Sequence, residues 1–141
     1  MLDGVLLDTS TIIDLDRIEF GDLSLTPALI STVSVAELGF GLDVDDPVER
    51  AARTERYYGI LDQFRIVPFD LAAAKKYAVL ASLVRKSGRN PRPRRMDLQI
   101  AATAVAYGVP LLTGNPKDFA GLERVLNVVG VGGGDDALPN L

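Results

Sequence analysis

The chain has no histidine and no cysteine. Without histidine there is no imidazole general base, no serine–histidine–aspartate triad and no histidine-held zinc. Without cysteine there are no disulfides, no thiolate nucleophile and no thiolate zinc site. No stretch approaches the ~18 apolar residues of a membrane span. The opening Met1-Leu-Asp-Gly4 lacks the basic flank and apolar run of an export signal. The expected compartment is therefore the cytoplasm, with no membrane partner. Any hydrolytic chemistry must rest on carboxylates, acting directly or by holding a metal. Oxygen-only ligands favour hard ions, Mg²⁺ or Mn²⁺, over zinc.

What is present is enough for one domain with a real core: 141 residues, 48% of them hydrophobic. The net charge of −4 argues against a nucleic-acid partner, but its distribution argues for one. Arg85, Lys86, Arg89, Arg92, Arg94 and Arg95 lie in one short segment with no acid among them. These six positive charges in a net −4 leave the rest of the chain at −10. A local basic segment on an acidic body suits one anionic partner at one place.

The hydrophobic pattern alternates strands with helices. Val5-Leu-Leu7 reads as a buried strand ending in Asp8, followed by cap-type residues Thr9, Ser10 and Thr11 and a short helix. Residues 17–27 read as a loop and Ala28 to Ser31 as a second strand. Ser34-Val-Ala-Glu37 opens a helix. Asp46-Pro47-Val48-Glu49 is a well-formed start for a helix to about Gln63. Arg65 to Pro68 reads as a strand. Asp70 caps a helix to about Ser87, with Leu71, Ala74, Ala78 and Ala81 on its expected inner face beside Tyr77, Leu80 and Val84. The prolines of Asn90-Pro91-Arg92-Pro93 exclude regular α-helix and predict an extended segment. A nearly apolar helix follows, opened by Asp97 and stopped by Gly108. Val109 to Leu112 is a doubly covered strand, and Val125 to Val129 a last edge strand. Tyr57, Tyr58 and Tyr77 sit among aliphatics at helical spacing, as packing residues do. The class is α/β with a mainly parallel sheet and helices on both faces, and such sheets bind ligands at the carboxyl ends of their strands.

Four acids stand out. Each has a local explanation: Asp8 as a cap, Glu37 as the far member of a capping box begun by Ser34, Asp97 at the positive end of its helix, Asp118 in a turn begun by Asn115-Pro116. Three of them follow a strand within six residues, and Asp97 opens a helix leading back to a strand. Four carboxylates at one sheet edge would repel, and such a cluster calls for a cation or for protonation of some members. A divalent ion there could activate water for attack on a phosphate.

Leu7-Asp8-Thr9-Ser10, Ser34-Val-Ala-Glu37-Leu38, Met96-Asp97-Leu-Gln-Ile-Ala-Ala-Thr-Ala104 and Leu111-Leu-Thr113-Gly-Asn-Pro-Lys-Asp118-Phe119 occur in an order and spacing that resemble a PIN-domain ribonuclease, most like the VapC toxins of bacterial toxin–antitoxin pairs. The resemblance runs from Gly4 to about Val129. It implies a three-layer α/β/α sandwich, with a nuclease domain over residues 1–130 and a flexible tail over 131–141. It further implies an endoribonuclease dependent on Mg²⁺ or Mn²⁺, a VapB-type antitoxin partner and a homodimer. By motif, Asp8 and Asp97 would be the metal ligands, with Glu37 and Asp118 completing the catalytic acids. Ser10 and Thr113 would support them by hydrogen bonds. Asn115 stands where many PIN domains carry an acid, which leaves the fourth acid and any second metal open. Water rather than a ribose hydroxyl would attack, leaving a 5′-phosphate and a 3′-hydroxyl.

The basic segment leads directly into Asp97, so Arg89, Arg92, Arg94 and Arg95 are expected to contact RNA phosphates; an acidic antitoxin tail is another use for them. A dehalogenase-type phosphatase would need a second aspartate where Ser10 stands. A receiver domain would need an acid at the end of Arg65–Phe69. The remaining alternative is a PIN fold that binds RNA or a partner without cutting.

Overall fold

The computed structural model describes residues 4–15 and 26–132; most of the loop expected at 17–27 and most of the tail expected at 131–141 lie outside the described residues. The elements in order are β1 (Val5–Leu7), α1 (Thr9–Ile13), β2 (Ala28–Ser31), α2 (Thr32–Phe40), α3 (Pro47–Gln63), β3 (Arg65–Val67), α4 (Leu71–Lys86), α5 (Arg95–Tyr107), β4 (Leu111–Thr113) and β5 (Val128–Gly130). Short 3-10 turns at Arg92–Arg94 and Pro116–Phe119 lead into α5 and follow β4.

The strands form one sheet in the order β3-β2-β1-β4-β5, and every pair is parallel. Side chains alternate across it as the pleat requires. Leu6, Leu29, Val67 and Leu111 point to one face, against Leu80 and Val84 of α4 and Leu98, Ile100 and Ala101 of α5. Val5, Leu7, Ile30 and Leu112 point to the other, against Ile12 of α1 and Ile60 of α3. Helices on both faces make a three-layer α/β/α sandwich. The strands are short, apolar and covered twice, as parallel strands must be.

Local chemistry sets the helix ends. Asp46 accepts from the Val48 amide at 3.0 Å with Pro47 in the first turn of α3, and Asp70 accepts from the Ala73 amide at 3.0 Å to start α4. Gly108 closes α5 at φ +68°, a left-handed conformation with which glycine is compatible at no side-chain cost.

Five expectations are corrected. The capping box at Ser34 and Glu37 does not form, because α2 starts three residues earlier, with Ser31 accepting from the Val33 amide at 3.1 Å. The buried stripe of α4 runs through Ala73, Tyr77, Leu80 and Val84, whereas Leu71, Ala74 and Ala78 face solvent. The stripe follows the helical spacing of the residues that face the sheet and α5 rather than side-chain size, since Ala73 is fully buried and Leu71 is exposed. The proline-rich segment is not extended: Arg92–Arg94 is a tight turn running straight into α5, consistent with the preset φ of proline at a helical first turn. The edge strand is Val128–Gly130, and Leu122 and Leu126 ahead of it are buried in a loop. Val131, expected to begin the tail, is buried, and its amide donates to the Thr113 carbonyl at 2.8 Å. Of the tyrosines, Tyr77 packs against the core while Tyr58 is exposed and meets Tyr57 edge-on.

Candidate active site

Register brings the first part of the site together. Leu7 pairs with Leu112 and with Ile30, so the next residues, Asp8, Thr113 and Ser31, come level at the carboxyl edge of the three central strands. Asp8 is buried. Its Oδ1 accepts from the Thr11 amide at 2.9 Å, which caps α1, and from Ser10 Oγ at 3.2 Å. Its Oδ2 accepts from Thr113 Oγ1 at 2.5 Å. The capping and site roles of Asp8 are thus one arrangement: a carboxylate fixed in place by three donors.

The second part comes from α5 and the loop after β4. Asp97 stands in the first turn of α5 and Asp118 in the 3-10 turn Pro116–Phe119. Arg94, just ahead of α5, bridges them. Its Nη2 lies 2.7 Å from Asp118 Oδ2 and 3.3 Å from Asp97 Oδ2. Asn115 Nδ2 also donates to Asp118 Oδ2, at 2.9 Å. Partial burial pushes the Asp97 carboxyl above its ordinary range, Arg94 pulls it back, and Asp118 and Asp8 push it up again. The Asp118 carboxylate and the weaker Asp97 contact hold the Arg94 guanidinium the more firmly charged, against some desolvation.

Glu37 sits apart on α2, where its Oε1 accepts from Thr9 Oγ1 at 2.7 Å; Thr9 Oγ1 and Ser34 Oγ are 2.9 Å apart. Thr9 is the residue that sequence reasoning passed over as a cap. Its position immediately after Asp8 was the available signal. Beside Glu37 opens a trough of about 480 Å³ between α2 and α3, lined by Ile13, Leu38, Leu42, Tyr57 and Ile60.

Among the described residues no three acids lie close enough to chelate an ion together. The expected cluster of four is instead three separately held groups: Asp8 on Thr113 and α1, Asp97 and Asp118 on Arg94, Glu37 on Thr9. Two of the arginines expected to contact RNA phosphates have partners within the protein: Arg94 bridges the two carboxylates, and Arg89 donates from Nη2 to the Ala120 carbonyl at 2.5 Å and from Nε to Ser87 Oγ at 3.3 Å. Arg95 donates to the Arg92 carbonyl at 3.0 Å, and Arg92 is exposed.

The donors that Asp8, Asp97 and Asp118 offer at this edge are all oxygens, and Asp97 is raised chiefly by its burial, with Arg94 outweighing the smaller push of Asp118 and Asp8. That donor chemistry fits a hard divalent cation.

A profile of the PIN domain matches residues 5–125, and the chain belongs to this family. Its similarities run to ribonucleases of the VapC kind. It is 32% identical over 120 residues to "Ribonuclease VapC" of Rickettsia bellii, covering 82% of this chain and 88% of that one. It is 34% identical over 135 residues to "VapC ribonuclease Y4jK" of Sinorhizobium fredii, covering 86% and 95%. Among solved structures it resembles VapBC-5 of Mycobacterium tuberculosis, a member of the VapBC family of toxin–antitoxin systems, with a TM-score of 0.73, 31% identity, and coverage of 90% of this chain and 96% of that one.

Proposed function

We propose that this protein is the toxin of a toxin–antitoxin pair, an endoribonuclease that hydrolyses RNA phosphodiester bonds with a divalent metal, Mg²⁺ or Mn²⁺. The observation that carries the reading is the placement of Asp8 at the end of the central strand, within electrostatic reach of Asp97. The VapC relatives support the activity, and the all-oxygen donors support the metal class.

Asp8 and Asp97 would hold the ion, with Asp118 beside them. When bound, it supplies a Lewis acid for a phosphate oxygen and a lower pKa for water. The chain's own residues do the rest. Ser10, Thr11 and Thr113 orient Asp8 before any ligand arrives, so Asp8 itself needs no reordering on binding. Glu37, held by Thr9, or Asp118 would orient the attacking water and accept its proton. Exposed Arg92 engages the RNA backbone at the start of α5.

The partners follow from the same reading. The neighbouring VapBC structures support a VapB-type antitoxin, and the trough between α2 and α3, where Leu38, Leu42 and Ile60 lie beside the charged Glu49, Arg53 and Arg56, offers room for an amphipathic segment of such a protein. The family resemblance implies a homodimer, which light scattering would measure. Among the described residues no helix is long and apolar enough to cross a membrane; the cytoplasm, where RNA and antitoxin meet, is the proposed place of action.

The test is cleavage of total cellular RNA by purified protein in Mg²⁺, Mn²⁺ or EDTA, with Asp97→Asn alongside. Discrete fragments bearing 5′-phosphates, dependent on metal and absent in the variant, are expected. Ends carrying a 2′,3′-cyclic phosphate would rule out attack by water. No cleavage by folded, metal-bound protein would favour the non-cleaving binding module. In cells, expression without antitoxin should arrest growth, and Asp97→Asn should relieve the arrest.

A further inference from the structure

We infer that Arg94 is a resident cation of the acidic site, one that holds Asp97 and Asp118 together in the metal-free protein through their Oδ2 atoms and competes with a divalent ion for those atoms. This rests on the reading of that edge as a divalent-metal site. Carboxylate oxygens from two separate segments, the start of α5 and the loop after β4, converge on one guanidinium nitrogen, at 3.3 and 2.7 Å. The same Asp118 oxygen already accepts from Asn115 at 2.9 Å. A small divalent ion needs its oxygens at ~2.0–2.2 Å, and an oxygen facing a guanidinium at hydrogen-bond distance cannot also offer that lone pair to an ion. Two cations, one organic and one inorganic, therefore compete for the same anionic groups.

Arg94 is placed to yield. Its side chain is 36% exposed, and it precedes α5 on a short turn where its own side chain makes no helix cap. Moving it costs an ion pair of the partly exposed kind and no core packing. The consequence is a threshold. In the free protein one guanidinium partly offsets the charge of Asp97 and Asp118, and metal must outbid a covalently tethered competitor whose local concentration does not change.

The test is Mn²⁺ titration by calorimetry on the full chain, comparing wild type, Arg94→Gln and the Arg94→Gln/Asp97→Asn double variant, with melting curves in EDTA and in Mn²⁺. Arg94→Gln is expected to bind Mn²⁺ about fivefold more tightly, the effect of removing a competing pair worth roughly 1 kcal/mol. The rise in melting temperature on adding metal should widen with it, and the gain should vanish in the double variant. A folded Arg94→Gln that binds no tighter than wild type overturns the inference and leaves the metal site standing. If neither protein binds Mn²⁺, the metal reading falls and this inference with it. A second measurement needs no variant. In wild type, the Arg94 Nε–H nitrogen resonance should shift as Mg²⁺ saturates the protein. Saturation without a shift would overturn the inference even if Arg94→Gln failed to fold.

Discussion

Thr113 Oγ1 donates to Asp8 Oδ2 at 2.5 Å between two fully covered strand ends, and the same hydroxyl oxygen accepts from the Asn115 amide at 3.0 Å. One side chain thus sets the direction of a buried carboxylate and the exit of the chain toward Asp118. Thr113→Val keeps the shape but removes both roles. It is expected to destabilise the protein by about 1–3 kcal/mol in urea unfolding, the cost of leaving a buried acceptor without its donor. Thr113→Ser, which keeps the hydroxyl, should stay within about 1 kcal/mol of wild type.

Thr9 gives a prediction about catalysis rather than stability. Its hydroxyl holds Glu37 at 2.7 Å from a helix whose position depends on Asp8. Thr9→Val should leave the circular dichroism spectrum intact and lower RNA cleavage about tenfold or more, the usual effect of removing an orienting partner. Thr9→Ser should restore most of the rate. Equal rates in Thr9→Val and wild type would remove Glu37 from the machinery or show that it needs no orientation.

The arginines of the basic segment separate into two kinds, and salt distinguishes them. Arg92 is exposed, and Arg92→Ala should weaken RNA binding and flatten its dependence on salt by about one phosphate contact. Arg89 is tied to Ala120 and Ser87. Arg89→Ala should lower stability by about 1 kcal/mol with the salt slope unchanged. An unchanged slope in Arg92→Ala would refute its contact with the backbone.

Gly108 isolates a backbone cost. A side chain there would meet nothing within 4 Å, yet φ is +68°. Gly108→Ala should therefore destabilise by about 1–2 kcal/mol, the local clash of Cβ with its own backbone and not with any other residue. Gly108→Asn should lose less, because asparagine tolerates the left-handed region. Denaturant midpoints of the two variants would check the order.

Features written in adjacent residues were legible in the sequence. Asp46 with Pro47, Asp70, and Gly108 announce helix ends through chemistry that acts within four residues, and all three act there. The alternation of elements was enough for the layered class. What could not be read required distance. Glu37 looked like a capping residue because nothing local reveals that α2 begins at Thr32. The inner face of α4 was assigned to its alanines, but burial follows which residues face the sheet and α5, and Ala73, Tyr77, Leu80 and Val84 are those. Arg94 read as one charge in a basic run. Only folding places it between Asp97 and Asp118, and the same folding leaves Arg92 outside.

The sheet order has a consequence for the protein's birth. β1 lies at the centre of the sheet, yet its neighbour β4 is separated from it by most of the chain. On the ribosome, Asp8 emerges first and waits for nearly everything else. Asp97 and Thr113 come only in the last third, and contacts this remote in sequence close late. A chain made only as far as α3 consequently carries Asp8 and Glu37 but lacks Asp97, Asp118 and Thr113, the donor to Asp8 Oδ2. The acids come together only after the segment through Asp118 has been made.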